Sequence, residues 1–155
     1  MLLIILNLFF YYQSSAKLQS ILSKVYMLSI YLIAGVLGVM LFFSVAVAPS
    51  IFKILPQEWA GVYVRAFFPK YYAVLGVACL VAALFTNLPA LKHVGLTCAA
   101  LFAVSLFILT PRVNAAKDNN QTKQFNIMHG LSVGVNLLQL VLLIYALYKS
   151  VAYFE

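Results

Sequence analysis

The chain has 155 residues, of which 65% are hydrophobic and only 8% charged. Soluble domains carry about 25% charged residues, so a water-soluble core of this length is excluded. The net charge of +7 is spread singly over segment ends rather than gathered in a stripe, which excludes a nucleic-acid partner and places the lysines and arginines at lipid headgroups. The partner expected throughout is the lipid bilayer.

Residues 1–24 read as an apolar leader lying in the membrane interface. Met1–Tyr12 is too short for a span, which needs roughly 17–25 residues. Ser14-Ser15-Ala16 resembles a small-residue cleavage site, but the basic start of a secretory signal is missing. The membrane domain is expected over 25–149, with spans at about 25–47, 66–87, 91–109 and 127–147, and a tail over 150–155. Lys24 marks entry to the first span and Pro49 its exit. Ala34 and Gly38 share one face of that span at a spacing that lets helices approach closely in lipid.

Pro56 and Glu58 suit the first turn of a helix. Trp59, Val62, Tyr63, Ala66 and Phe67 then recur with an amphipathic period. The pattern predicts a short interfacial helix between the first and second spans, anchored by Trp59 and Tyr63 at headgroup level; a lid over the bundle would use the same pattern. Asn87–His93 is a short link, so the second and third spans form a hairpin. Pro111 is expected to stop the third span.

The fourth span carries the only cluster of polar groups within a span. His129, Ser132, Asn136 and Gln139 fall at i, i+3, i+7 and i+10, a stripe roughly 80° wide at about 100° per residue. Gly130 and Gly134 lie on a different face and predict a second helix-packing surface. Tyr145 and Tyr148 with Lys149 close the span as an interfacial belt. Arg112 and Asn114 follow the third span at the membrane side where His129 enters, so Arg112, Asn114, His129, Ser132, Asn136 and Gln139 are the candidate ligand-binding set. Hydrogen bonding that merely locks helices together would use the same groups.

Catalytic motifs are absent. Glu58, Asp118 and Glu155, the three acids, all lie outside the spans, and no phosphate loop, nucleophile elbow or H-E-x-x-H occurs. No cofactor or metal is expected. The redox alternative is a haem or metal on His129, alone or with Met40 or Met128, because His93 falls at the opposite membrane side. Cys79 and Cys98 sit in apolar runs and read as buried free thiols.

Two further patterns bear on organisation. Ala48-Pro49 and Thr110-Pro111 close the first and third spans alike, each followed by a basic residue, as a duplicated hairpin would. Lys53, Arg65, Lys70, Arg112, Lys117 and Lys123 occupy the two long links, against Lys17, Lys24, Lys92 and Lys149 on the other side. That bias puts the long links in the cytoplasm of a bacterial inner membrane and both termini outside.

The motifs V-A-P-S-I-F with the following L-P and A-G, F-F-P-K-Y-Y, T-P-R-V-N-A and F-N-I-M-H-G-L-S-V-G-V-N resemble those of the transmembrane protein 205-like family over about Val25 to Tyr148. The family pattern falls on Pro49, Arg112, Asn114, Phe125, His129, Ser132 and Asn136. The resemblance implies four helices and membrane residence, with no established reaction; the apolar stretch before Lys17 departs from it. The expectation is an all-α bundle of four transmembrane helices without catalytic activity. It would be a small-molecule or ion binding or transport-related module, an accessory subunit of a larger membrane complex, or a scaffold that forms homo-oligomers.

Overall fold

The computed structural model describes the backbone of residues 2–152 and the side chains of 15–152 except Ala16 and Leu22. The side chains of the leader up to Ser14, and Tyr153 in the tail, lie outside the described residues. The described residues form four rods. The first is α1 (Leu2–Phe42), a π-helical turn (Phe43–Val47) and α2 (Ala48–Ile54). The second is α3 (Gln57–Leu84). The third is α4 (Pro89–Val104), a π turn (Ser105–Leu109) and α5 (Thr110–Asp118), and the fourth is α6 (Thr122–Val151). Among the described residues four stretches are long and apolar enough to cross a membrane: Lys17–Ile54, Gln57–Leu84, Pro89–Asp118 and Thr122–Val151. No strand occurs among the described residues. The fold is therefore the all-α, four-span bundle that composition and periodicity imply.

Packing runs α1 to α3, α3 to α4, α4 to α6 and α6 back to α1. Each rod is antiparallel to both neighbours, and α1 faces α4, and α3 faces α6, across the bundle axis. The links are short: Leu55-Pro56, Phe85–Leu88 and Asn119–Gln121. Asn120 takes the left-handed conformation (φ 56°) that the last of these requires, a region asparagine enters more readily than most residues. At the same end Arg65 of α3 pairs with Asp118 of α5, with Nη1 donating to Oδ2 at 3.1 Å.

Two features differ from the sequence reading. Neither Pro49 nor Pro111 ends its rod. A proline in a helix lacks a donor and its ring crowds the carbonyl four residues back. Here a wider π turn precedes each proline and relieves that crowding. The Ala48 N–H bonds Phe43 O, and the Thr110 N–H bonds Ser105 O. The Thr110 hydroxyl adds a second donor to Ser105 O at 2.7 Å. Thr110→Val is therefore expected to lower unfolding stability by about 0.5–1.5 kcal/mol, read from thermal melts in detergent, with the fold retained.

The amphipathic stretch after Pro56 is also not a separate element. It forms the opening turns of α3, which runs unbroken through Pro69. Stacked rings hold that region: Tyr63 on Phe67 at 5.8 Å and Phe67 on Phe43 at 4.8 Å. Trp59 and Tyr63 remain exposed, as anchors at a membrane surface would be.

The inner faces of the two hairpins repeat. Shifting the buried Ser29, Ile33, Val36, Met40 and Phe43 of the first rod by 62 positions gives Leu91, Gly95, Cys98, Phe102 and Ser105, all buried. The same shift relates the two π turns and the two prolines. In the second rod with the link that follows it, and in the fourth rod, a shift of 64 takes Leu75, Cys79, Ala82 and Thr86 to Gln139, Leu143, Ala146 and Ser150, again all buried. A pseudo-two-fold along the bundle axis thus relates α1 to α4 and α3 to α6. The same shift carries Tyr72 onto Asn136, and these two side chains meet between the hairpins.

Candidate functional site

The polar stripe of α6 divides on folding. Gln139, Leu143, Ala146 and Ser150 are fully buried and define the inward direction. His129 lies roughly 70° from that direction, two turns into the helix. It is exposed. Its ring stacks on Phe125 at 5.7 Å, and Lys117 lies over the other member of that pair, 5.4 Å from the Phe125 centroid. Arg112 is exposed and Asn114 half-buried. Among the described residues no hydrogen bond or ion pair joins Arg112, Asn114 and His129. The grouping expected at the mouth is not brought together there.

The deeper residues are brought together. Asn136 Nδ2 donates to Tyr72 Oη at 3.3 Å and to Ser132 O at 3.3 Å. Tyr72 Oη also lies 3.5 Å from Ser132 Oγ, a long contact. Gln139 Nε2 donates to Cys98 O at 3.2 Å. These bonds join α6 to α3 across the axis and to α4 beside it. Cys98 O and Ser132 O only accept, so each amide must turn its nitrogen toward them. Asn136 Oδ1 and Gln139 Oε1 are left buried without a partner, as is Ser105 Oγ. Burying a polar atom unpaired costs free energy, the more so in lipid where no water competes.

Tyr72 and Ser105 were not legible as site residues. Tyr72 stands in an aromatic run, F-F-P-K-Y-Y, near the start of the second span. Its signal is the 64-residue shift onto Asn136, visible only once both registers are fixed. Ser105 sits in an apolar stretch where one hydroxyl satisfies itself in most helices.

The small-residue faces look outward. A Cβ at Gly38, Gly130 or Gly134 would meet nothing within 4 Å, and Ala34 is exposed. Gly130 and Gly134 point roughly 150–170° away from the inward direction of α6. The close approach lies instead between α3 and α4, where a Cβ on Gly95 would stand 2.9 Å from Ala83 Cβ and 3.0 Å from Cys79 O. Tyr145 and Tyr148 are exposed, with Lys149 6.0 Å from the Tyr145 centroid.

For metal or haem, the described residues contain no group of three or more His, Cys, Asp or Glu placed to hold an ion. Met40 is buried in the core and Met128 half-buried, while His129 is on the surface. Cys79 and Cys98 are free and buried.

Comparison with known proteins places this geometry in a family. Residues 31–122 match the family described as "Domain of unknown function (DUF4149)". An uncharacterised protein of Aquifex aeolicus (strain VF5) is 34% identical over 118 residues, covering 74% of this chain and 88% of that protein. No solved structure matches. The family match includes Tyr72, Ser105, Arg112 and Asn114 and stops where α6 begins, so His129, Ser132, Asn136 and Gln139 lie beyond it. Neither comparison returns the transmembrane protein 205-like family, and that resemblance rests on its motifs alone. The chain belongs to the DUF4149 family of unknown function, and here it forms two repeated helical hairpins whose helices are long and apolar enough to cross a membrane.

Proposed function

We propose that this protein is a non-enzymatic membrane module that binds a small polar guest between its two hairpins, as a transport-related protein or as the ligand-holding subunit of a larger membrane complex. The observation that carries the reading is the set of buried, unpartnered oxygens on Asn136, Gln139 and Ser105 where the hairpins meet. Polar groups inside a span are costly and face sites or pathways. In membrane proteins built from repeats, the guest site lies near mid-depth at the repeat interface. Tyr72 and Asn136, related by the internal shift, occupy that position.

The remaining finer expectations fit the same picture. Six basic residues in the α2/α3 and α5/α6 regions against four at the other end favour those links in the cytoplasm of a bacterial inner membrane, termini outside. The outward faces carrying Ala34/Gly38 and Gly130/Gly134 are where a second copy or a partner subunit would dock. The motif resemblance to the transmembrane protein 205-like family is compatible with such a module.

The test is purification from the native membrane in mild detergent, followed by an absorbance spectrum and mass spectrometry of retained small molecules and proteins. The expected result is a colourless protein that retains a guest, and loses it in Asn136→Leu. Stoichiometric haem would replace this reading with the redox one. A protein that retains nothing, and that no solute stabilises, would remove the guest site.

A further inference from the structure

We infer that the end of the bundle carrying the α5–α6 link holds an anionic phospholipid, its phosphate seated on Lys117 and His129 beside the Phe125 ring. The inference concerns the outer surface and is independent of the guest between the hairpins.

The spacing of the charges sets the depth of the site. His129 and Lys149 are 20 residues apart on α6, and Lys92 and Arg112 are 20 residues apart on the third rod. At about 1.5 Å per residue each pair spans about 30 Å, the thickness of the hydrocarbon layer. All four side chains are exposed. Lys92 and Lys149 thus stand at one edge of that layer, and Arg112 and His129 at the other. Phe125 lies one turn, about 6 Å, beyond His129 on the headgroup side. Lipid phosphates and glycerol esters occupy this depth.

The internal repeat shows what the chain leaves out there. The shift of 64 that relates α3 to α6 takes Arg65 to His129. Arg65 has its anion within the chain, for both Asp118 oxygens accept from its guanidinium. The shift of 62 that relates the other two rods takes Asp118 back to Pro56, so no acid stands in the counterpart place. His129 has a second cation nearby instead. Lys117 Nζ lies 5.4 Å from the Phe125 centroid, and the Phe125 ring stacks on His129 at 5.7 Å with 3° between the planes. Among the described residues neither Lys117 nor His129 makes a hydrogen bond or an ion pair. A lysine ammonium only donates, and an imidazole carries at least one N–H. The group that serves both is an acceptor, and next to a fixed positive charge an anion fits best.

Charge complementarity selects the lipid. With Arg65 and Asp118 paired, this end of the bundle keeps Lys53, Lys70, Arg112, Lys117 and Lys123 against Glu58. Cations near a membrane surface attract anionic lipid, whereas a choline or ethanolamine head brings its own positive charge against them. Asp118, the acid next to Lys117 in the chain, is spent on Arg65. Glu58 opens α3, across the bundle axis from α6. Depth favours a lipid over a soluble anion. Acyl chains hold a lipid phosphate at this level, while a soluble anion sheds water to reach it.

The experiment uses the full chain in vesicles of phosphatidylglycerol and phosphatidylcholine. Trp59→Phe removes the single tryptophan, and Phe125→Trp places one at the site with an aromatic face kept for Lys117. Quenching of its fluorescence by either lipid, brominated near the glycerol end of the acyl chains, gives their relative affinity at position 125. A preference of about fivefold or more for phosphatidylglycerol is expected. Lys117→Arg is expected to keep it, Lys117→Gln to lower it about fivefold, and Lys117→Glu and His129→Glu to reverse it. Lys149→Gln, at the other edge of the layer, is expected to leave it unchanged. Lys117 and His129 are exposed, so these variants are expected to fold, which circular dichroism checks. Equal quenching by the two lipids, a preference that survives both glutamate substitutions, or one lost as readily in Lys149→Gln would overturn the inference. A preference displaced by inorganic phosphate but not by chloride at equal ionic strength would assign the site to a soluble anion and overturn the lipid.

Discussion

Gly95→Leu is expected to prevent the bundle from forming, while Gly134→Leu leaves it folded. Both glycines lie in apolar helices and look alike in sequence. At Gly95 the α3 backbone is in contact: an added Cβ would stand 3.0 Å from Cys79 O and 2.9 Å from Ala83 Cβ, and neither can swing aside as the tip of a long side chain could. Even Gly95→Ala must push α3 from α4, an overpacking cost of about 1–3 kcal/mol. A leucine adds three further carbons in the same direction, and the α3–α4 contact is the most extensive in the molecule. At Gly134 a Cβ meets nothing within 4 Å, so the change is expected to stay within about 0.5 kcal/mol for the single chain. Fluorescence-detected size exclusion and melting of the two variants side by side check this. A folded Gly95→Leu would show that the α3–α4 contact is looser than the geometry states.

Gln139→Ala and Gln139→Leu are expected to differ, although each removes the same amide. Gln139 has no exposed surface. Its bond to Cys98 O is lost in both variants. In lipid such a bond is worth about 0.6 kcal/mol on average and up to about 1.7. Alanine also leaves a void, and truncations of this size in a packed core cost about 2–5 kcal/mol. The sum is a loss of roughly 3 kcal/mol or more. Leucine fills much of the same volume and removes the unpartnered Oε1. It is expected to lie within about 1 kcal/mol of the parent, or above it. Equal destabilisation by the two substitutions would mean that the amide, rather than its volume, holds α4 to α6.

Much of this molecule is legible without coordinates. Four apolar stretches of spanning length, with few charges and short polar links, can bury their backbone polar groups in a membrane only as helices. The Asn87–His93 link dictates an antiparallel hairpin, and the period of α6 marks Ser132, Asn136 and Gln139 as one face. Those properties are local, because spacing along a helix is spacing in angle. Other features depend on what stands opposite, which no single segment records. Pro49 and Pro111 read as helix ends, yet a π turn before each gives the ring room, and the rods continue because packing against α3 and α6 supports them. His129 belongs to the polar stripe by angle but lies at its outer edge, where it is exposed. Gly130 and Gly134 fit a helix contact by spacing and face away from the chain, whereas Gly95, alone in its stretch, meets Ala83. Tyr72 becomes a partner of Asn136 only because the two hairpins close around a pseudo-two-fold axis. The sequence by itself determined which residues seek protein rather than lipid. The tertiary structure decided which of them find each other, because a helix face has a direction but acquires a neighbour only when the rods assemble.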